Sequence, residues 1–360
     1  MTERYAGLIP VTLLTGFLGS GKTTLLQRLL TSPKLANTAV LINEFGEVGL
    51  DHLLLERVDA DTVLLQSGCV CCTIRSDLST AMRELYDKRE RGAVKAFDRV
   101  VIETTGLADP TPIVYTLMAE PVLRHHFRLS KVITTVDAVN GSLHLRENPE
   151  SVKQAVVADR IVLTKTDIAD ATAISALEAQ LHQLNPSAPI VSAANNEIDP
   201  DDLLTGDLYD ARSKSTEVQH WLEGAAREIA HEGHHHGAHH PVDVNRHDRG
   251  IVAFCLRFDE PLDWTAFGVW LTMLLNVHGD KVLRVKGLLN VRASKSPVVI
   301  HGVQHVVHPP VHLAKWPSSD HGSKLVFITR DLPRESVERS LRAFNALSNC
   351  DLSDDEKPKA

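Results

Sequence analysis

The stretch Gly16-Phe-Leu-Gly-Ser-Gly-Lys-Thr23 matches the pattern G-x-x-x-x-G-K-[ST] and decides the fold of the first half of the chain. It follows an apolar run, Val11–Leu14, and opens a segment with a leucine stripe at helical spacing over residues 25–30. A strand, a glycine-rich turn and a helix in this order surround an anion with backbone N–H groups and a positive helix end. The stretch therefore predicts a loop that binds nucleotide phosphates.

Two side chains of this loop have predicted catalytic roles. The Lys22 ammonium reaches the β- and γ-phosphates, and the Thr23 hydroxyl binds the accompanying Mg²⁺. The residues predicted to contact the nucleotide here are Gly16, Phe17, Leu18, Gly19, Ser20, Gly21, Lys22, Thr23 and Thr24.

Short β-branched runs alternate with helical patterns through the first half of the chain, which indicates parallel β-α-β construction. We expect residues 1–210 to form an α/β phosphate-loop domain with a mostly parallel sheet flanked by helices. A second core helix is predicted from Leu78, Met82, Leu85 and Tyr86. The predicted strands are Val11–Leu14, Ala39–Ile42, Val100–Ile102, Val132–Val136, Ile161–Leu163 and Ile190–Val191.

The second half of the chain predicts a smaller domain. Residues 211–249 are charged and rich in histidine, and we expect them to be a linker. Residues 250–347 read as an α+β domain with helices at Trp264–Leu275 and Ser336–Leu347, and the polar residues 348–360 are expected to be disordered. The predicted strands of this domain are Ile251–Phe258, Lys281–Val291, Pro297–Val307 and Lys324–Thr329.

Charge and hydropathy exclude some classes of partner. The 360 residues include 38 Lys and Arg against 46 Asp and Glu, a net charge of −8 that disfavours binding to a nucleic-acid backbone. No apolar run approaches the roughly 18 residues of a membrane span, and the polar start of the chain has no signal-peptide pattern. We expect a cytoplasmic protein with neither nucleic acid nor membrane as a partner.

The tetrapeptide Thr164-Lys165-Thr166-Asp167 follows the predicted strand Ile161–Leu163, where a base-reading loop is expected. The Asp167 carboxylate offers two acceptors for the N1–H and N2–H₂ donors of guanine, and the stem of Lys165 can lie along the ring. A polar loop after a strand is the alternative interpretation. Beside the phosphate loop, guanine is favoured.

Glu103-Thr-Thr-Gly106 ends the predicted strand Val100–Ile102. Phosphate-loop enzymes place a carboxylate near Mg²⁺ at this position, and a glycine whose N–H meets the γ-phosphate. We therefore take Glu103 as a catalytic candidate and Gly106 as a nucleotide contact. A solvated glutamate at the end of a strand is the alternative.

Cys69, Cys71 and Cys72 place three thiols within four residues, too close for mutual structural disulfides. Thiolates bind Zn²⁺, and three of them leave one position of a four-ligand shell for water, a carboxylate or a partner's ligand. The alternatives are small buried apolar residues or a redox pair.

Histidines are concentrated in two places. The stretch His231–His247 is either a metal-binding segment or a solvated linker that binds metals adventitiously. The later row His301, His305, His308 and His312 is predicted to be structural.

Five segments together resemble the CobW-like GTPases of the SIMIBI class of phosphate-loop proteins, and the resemblance extends from about Pro10 to Leu347. Residues 282–291 and 301–310 resemble the C-terminal domain of that family. The five segments are Thr15–Leu25, Asn43–Asp51, Gly68–Cys72, Glu103–Pro110 and Thr164–Asp167.

The resemblance implies GTP hydrolysis coupled to holding and handing over a metal, most often zinc, with Cys69, Cys71 and Cys72 as ligands. It also implies a switch segment at Asn43–Asp51. There Glu47 could complete a zinc shell and Asp51 a Mg²⁺ shell, although each is equally well a solvated loop acid.

The leading hypothesis is a GTP-hydrolysing metallochaperone that passes zinc to a client metalloprotein, with GTP, Mg²⁺ and Zn²⁺ as its ligands. Cobalt or nickel as the metal, and a homo-oligomeric state, stay open. The alternatives are a nucleotide-gated zinc buffer or sensor that acts through protein interaction, and a cobalt-handling protein of cobalamin synthesis. An ATP-dependent kinase is disfavoured by the Thr164–Asp167 loop.

Overall fold

The computed structural model describes residues 7–43, 63–67, 74–193, 198, 203–204, 218 and 250–347. It divides into two compact units, of which the first holds the described residues up to 218 and the second holds residues 250–347. Several predicted features lie outside the described residues. They are Glu47, Asp51, Cys69, Cys71, Cys72, almost all of the linker 211–249 with its histidines, and the tail 348–360.

The first unit is built on a seven-stranded parallel sheet with the strand order β3-β2-β4-β1-β5-β6-β7. The predicted α/β fold is confirmed. The strands are β1 Ile9–Gly16, β2 Thr38–Asn43, β3 Val63–Ser67, β4 Arg99–Glu103, β5 Phe127–Asp137, β6 Arg160–Thr164 and β7 Ile190–Ser192. The helices are α1 Lys22–Leu30, α2 Ile74–Glu90, α3 Thr111–Ala119, α4 Pro121–His126, α5 Gly141–Glu147, α6 Pro149–Val157 and α7 Ala171–Leu184, with a short 3-10 helix at Pro33–Leu35.

All six predicted strands of this sheet are present, and one strand was missed. The missed strand, β3, pairs with β2 at the edge of the sheet. Strand β5 is six residues longer than predicted, because Arg128, Ser130 and Lys131 interrupt the apolar pattern that marks its start. Lys131 is nevertheless 2% exposed, and the pairing of β5 with β1 shifts register beside it.

The predicted helical stripes form core. The leucines of α1 pack in one cluster with residues of β1, β2, β4, β5 and β6. On α2, Leu78, Met82 and Leu85 are buried and Tyr86 is partly exposed.

The second unit is an antiparallel sheet with two helices. Strand order is β11-β10-β9-β13-β8, and β12 pairs with β10. The elements are β8 Ile251–Phe258, α8 Trp264–His278, β9 Val282–Leu289, β10 Val298–Val303, β11 Val306–Val307, β12 Val311–His312, β13 Ser323–Arg330 and α9 Arg334–Leu347.

The core of this unit joins residues of α8 and α9 to alternate residues of the sheet, including Phe254 on β8 and Phe327 on β13. The prediction of a single strand over Pro297–Val307 was wrong. Val303 pairs with Val306 across a tight turn, where Gln304 has a left-handed φ of 49°. A turn of only two residues between two strands does not interrupt the apolar pattern enough to be recognised in the sequence.

Among the described residues, no helix combines the length and the apolar character that a membrane crossing requires.

Candidate nucleotide and magnesium site

The predicted nucleotide residues meet at one edge of the parallel sheet. Strands β1, β4, β5 and β6 are neighbours and run in the same direction, so their carboxyl ends lie side by side. These ends carry the phosphate loop, Glu103–Gly106, Asp137 and Thr164–Asp167. Open α/β sheets bind ligands at this edge.

The phosphate loop is closely packed at its first glycine. A side chain at Gly16 would overlap Thr135 and approach Ser20 Oγ to 2.7 Å, so the backbone passes where only glycine fits. The Lys22 side chain is 9% exposed, and its Nζ donates to the carbonyl oxygens of Gly16 at 3.0 Å and Phe17 at 3.2 Å. The ammonium is therefore held over the loop, where phosphate oxygens would compete for it.

Thr23 and Glu103, each of which the sequence predicts to lie near Mg²⁺, are in contact. Thr23 Oγ1 donates to Glu103 Oε1 at 2.5 Å, and Glu103 is 4% exposed at the end of β4. A hydroxyl and a carboxylate oxygen are hard ligands of the kind that Mg²⁺ prefers. Together with the Lys22 ammonium and the glycine-lined loop, they fit a nucleoside triphosphate with Mg²⁺.

Two hydroxyl contacts join the phosphate loop to the neighbouring strands. Ser20 Oγ and Thr135 Oγ1 are 2.7 Å apart, and Thr164 Oγ1 donates to the Ser20 carbonyl oxygen at 2.8 Å. Many GTPases have asparagine at the position of Thr164. Here the shorter hydroxyl anchors the loop after β6 to the phosphate loop.

Lys165 is fixed by Asp137, a carboxylate that the sequence pattern did not point to. It has a left-handed φ of 57°, and its Nζ lies 2.6 Å from Asp137 Oδ2. Asp137 also accepts from the backbone N–H groups of Val139 at 2.8 Å and Asn140 at 3.2 Å. Asp137 ends a buried strand in the same way as Glu103, and that shared position is the signal that could have found it.

The pKa of Asp137 reflects two opposing causes. Burial of the side chain raises its pKa, but the hydrogen bonds from Lys165, Asn140 and Val139 together outweigh burial and keep the pKa below its usual value. The carboxylate is therefore charged at neutral pH, and it orients Lys165, whose stem is predicted to lie along the base. Asp167 itself is exposed, so its carboxylate is open to a ligand.

Gly106 lies against the phosphate loop. It is buried, and a side chain there would come within 2.7 Å of the backbone N and Cα of Leu18. The loop after β4 therefore approaches the phosphate loop as closely as backbone allows. The sequence predicts a γ-phosphate contact at this glycine.

The predicted zinc ligands lie outside the described residues, so their geometry stays a prediction. Within the described ranges, no group of three or more His, Cys, Asp and Glu residues could hold a metal ion. His305 Nδ1 lies 2.9 Å from the Leu275 carbonyl oxygen and its Nε2 lies 3.1 Å from Asp280 Oδ1. These contacts join the β10–β11 turn to the end of α8, which is a structural role.

Comparison with known proteins gives matches along most of the chain. Residues 10–192 match the family model described as CobW/HypB/UreG, nucleotide-binding domain, and residues 251–345 match the model of the cobalamin synthesis protein cobW C-terminal domain. The chain is 32% identical over 332 residues to "Zinc chaperone YjiA" of Escherichia coli K12, covering 91% of this chain and 96% of that protein.

Two further relatives are informative. The chain is 33% identical over 209 residues to "Zinc-regulated GTPase metalloprotein activator 1" of Schizosaccharomyces pombe, covering 56% of this chain and 50% of that protein. The crystal structure of Zn(II)-bound YjiA GTPase from E. coli superimposes with a TM-score of 0.68 at 28% identity, covering 94% of this chain and 99% of that one.

Proposed function

The chain belongs to the CobW family of GTPases, and from this premise we propose that it couples GTP hydrolysis to the transfer of zinc to a client metalloprotein. In this proposal Cys69, Cys71 and Cys72 bind the zinc. Glu47 is a candidate for a further zinc ligand and Asp51 for a magnesium ligand. We place the protein in the cytoplasm, and a homo-oligomer is compatible with the proposal.

The observation that carries the nucleotide half of the proposal is the Thr23–Glu103 contact of 2.5 Å next to the buried Lys22 ammonium. Phosphoryl transfer depends mainly on positioning and on stabilisation of charge, and bound Mg²⁺ supplies part of that stabilisation. Lys22 would bind the β- and γ-phosphates. Thr23 and Glu103 would hold the ion, the first directly and the second directly or through water.

Recognition of guanine is assigned to the loop after β6. Asp167 would accept from the N1–H and N2–H₂ groups of the base, and Lys165, held by Asp137 at 2.6 Å, would lie along the ring. Thr164 would keep this loop at a constant distance from the phosphates through its bond to the Ser20 carbonyl oxygen.

The zinc half of the proposal is supported by the three adjacent thiols and by the relatives. The E. coli relative is named a zinc chaperone and has a zinc-bound structure, and the fission yeast relative is named a zinc-regulated metalloprotein activator. These names favour zinc over cobalt or nickel and favour a metalloprotein as the client.

The decisive experiment measures coupling between zinc and GTP. We expect zinc affinity, titrated calorimetrically with and without a non-hydrolysable GTP analogue, to differ about tenfold, which is roughly 1.4 kcal/mol. Linkage requires zinc to change the affinity for the analogue by the same factor. Identical zinc affinities in both titrations would leave a GTPase and a metal site that only share a chain.

A matched variant assigns the zinc ligands. Replacing Cys69, Cys71 and Cys72 by serine should abolish tight zinc binding and its coupling to GTP, while GTP binding stays, because the phosphate loop and Asp167 are unchanged. Zinc binding to the wild type should also release protons and weaken at lower pH, since thiols with a reference pKa of about 8.5 must ionise to bind the metal.

Transfer to a purified client separates a chaperone from a zinc buffer or sensor. A chaperone should load the apo-client with hydrolysable GTP and fail with the analogue. A sensor should bind its partner equally in both cases, without transfer. Adding Co²⁺ in competition with Zn²⁺ tests the cobalt alternative in the same assay.

The histidine stretch is proposed as a low-affinity collector of metal. Deleting His231–His240 should reduce the number of weakly bound Zn²⁺ ions, while one tight site and GTP hydrolysis persist. Loss of the tight site in this deletion would place the main zinc ligands in the stretch.

A further inference from the structure

Helix α6 contacts the loop after β4 through a fully buried glutamine. Gln154 Nε2 donates to the carbonyl oxygens of Gly106 at 3.1 Å and Ala108 at 3.0 Å. The residue has no exposed surface. Because both neighbours are carbonyl oxygens, which only accept, the NH₂ group of the amide must face the loop. One side chain therefore uses both of its donors on a segment of three residues.

The preceding residue holds the end of the same loop. Lys153 Nζ lies 2.9 Å from Asp109 Oδ2, and Asp109 Oδ1 accepts from the Thr111 N–H at 3.0 Å. Burial raises the pKa of Asp109, but the hydrogen bonds from Lys153 and Thr111 outweigh burial and lower it overall. The carboxylate is thus charged at neutral pH, and the ion pair with Lys153 persists there.

Helix α6 is itself anchored to the sheet beside the phosphate loop. Thr134 Oγ1 on β5 donates to the Gln154 carbonyl oxygen at 2.8 Å, and the next residue, Thr135, contacts Ser20 of the phosphate loop. On its other side Gly106 is packed against Leu18. Gly106 is therefore held between two fixed elements, α6 and the phosphate loop.

We propose that Gln154 is a positioning residue for the γ-phosphate: its amide holds the carbonyls of Gly106 and Ala108, and so keeps the Gly106 N–H where the terminal phosphate of GTP meets it. This inference rests on the proposed function and on the γ-phosphate contact that the sequence predicts at Gly106. GDP has no γ-phosphate. The contact between the Gly106 N–H and the γ-phosphate therefore contributes to the discrimination of GTP from GDP. Lys153 supports this contact by holding Asp109 at the end of the same loop.

The test compares the affinities for GDP and for a non-hydrolysable GTP analogue. Gln154→Met keeps the length of the side chain and removes both donors. We expect the affinity for the analogue to fall about tenfold, in line with the loss of two buried hydrogen bonds, and the affinity for GDP to stay within about twofold. The kcat for GTP hydrolysis should fall with the affinity for the analogue.

Two further variants complete the test. Lys153→Met should lower the affinity for the analogue about threefold, because a partly exposed ion pair contributes less than a buried amide. Gln183→Met removes an exposed glutamine of α7 and serves as the matched control, with both affinities unchanged.

Two results would overturn the proposal. Equal losses for GDP and the analogue in Gln154→Met would show a purely structural role, and unchanged affinities for both would show that the loop needs no support. If Gln154→Met does not fold, the loss of affinity for the analogue relative to that for GDP is compared in Lys153→Met instead, and equal losses there overturn the proposal. A wild-type protein that does not bind GTP contradicts the proposed function. A wild-type protein that binds and hydrolyses GTP, with variants whose nucleotide affinities equal those of the wild type, contradicts only the role of Gln154.

Discussion

The two sheets bury polar side chains in different places. In the first unit Glu103, Asp137 and Thr164 are buried where β4, β5 and β6 end. In the second unit Arg284 and Lys286 are buried in the middle of β9. The first unit thus places buried polar groups together at the carboxyl ends of three neighbouring strands, in addition to others elsewhere such as Lys131 within β5, whereas the buried cations of the second unit lie within a strand.

Strand direction explains this difference. Parallel strands all end at the same edge, so polar residues that follow each strand converge and can form a site. Antiparallel strands end alternately at both edges, and side chains at their ends are kept apart. The first sheet is therefore suited to hold a ligand, and the second mainly encloses an apolar core around Trp270.

The largest expected effect falls in the apolar core of the second unit. Trp270 is 1% exposed, and its Nε1 donates to Ser340 Oγ at 2.9 Å. Trp270→Ala should lower the free energy of unfolding of this unit by about 3–5 kcal/mol, because it leaves a large cavity. Nucleotide affinity should not change, since the nucleotide residues belong to the first unit. Urea unfolding and GTP-analogue titration measure the two quantities, and a parallel loss of both would refute the division of roles.

A glycine pair tests the same comparison at the backbone. Gly106→Ala would place a Cβ 2.7 Å from the Leu18 backbone, and should lower kcat for GTP hydrolysis about 100-fold, as loss of a positioned charge-stabilising donor does. Gly268→Ala on α8 has nothing within 4 Å of the added Cβ and should raise stability by about 0.5–1 kcal/mol with unchanged kcat. Steady-state kinetics with thermal melts compare the pair. If the Gly106→Ala variant is as active as the wild type, the loop after β4 has no role in GTP hydrolysis.

Base specificity should change at Asp167. Asp167→Asn should weaken GTP binding about tenfold and improve binding of xanthosine triphosphate, because the amide donates to the xanthine 2-carbonyl but opposes the guanine N2–H₂ donor. Competition against labelled GTP measures both. If ATP competes as well as GTP in the wild type, the loop does not read guanine.

The smallest effect concerns pH and Asp137. Its pKa is lowered in the folded protein, so its contribution to stability is complete above the ordinary pKa of about 4 and is lost as the pH falls through the lowered value. Asp137→Asn should therefore be less stable than the wild type at pH 7, by about 1 kcal/mol, and the difference should shrink below about pH 4. Urea unfolding at pH 7 and pH 3 gives the comparison. If the difference in free energy of unfolding between the wild type and Asp137→Asn does not depend on pH, the charge of Asp137 does not stabilise the folded protein.

The sequence by itself determined the features that are local in the chain. The phosphate loop, the six predicted strands of the first sheet and the leucine stripe of α1 each follow from neighbouring residues, because glycine spacing and apolar periodicity act over one element. The sequence also predicted that Thr23 and Glu103 each lie near Mg²⁺, but their contact across 80 residues depends on β1 and β4 being neighbours in the sheet.

Only the tertiary structure decided the contacts between distant elements. Asp137 and Lys165 are 28 residues apart, and Gln154 is 48 residues from Gly106. Nothing in the sequence around Gln154 distinguishes it from any other glutamine on an amphipathic helix, since its role depends on which loop the fold places against it. Local patterns specify elements, whereas the order of strands in a sheet decides which side chains meet.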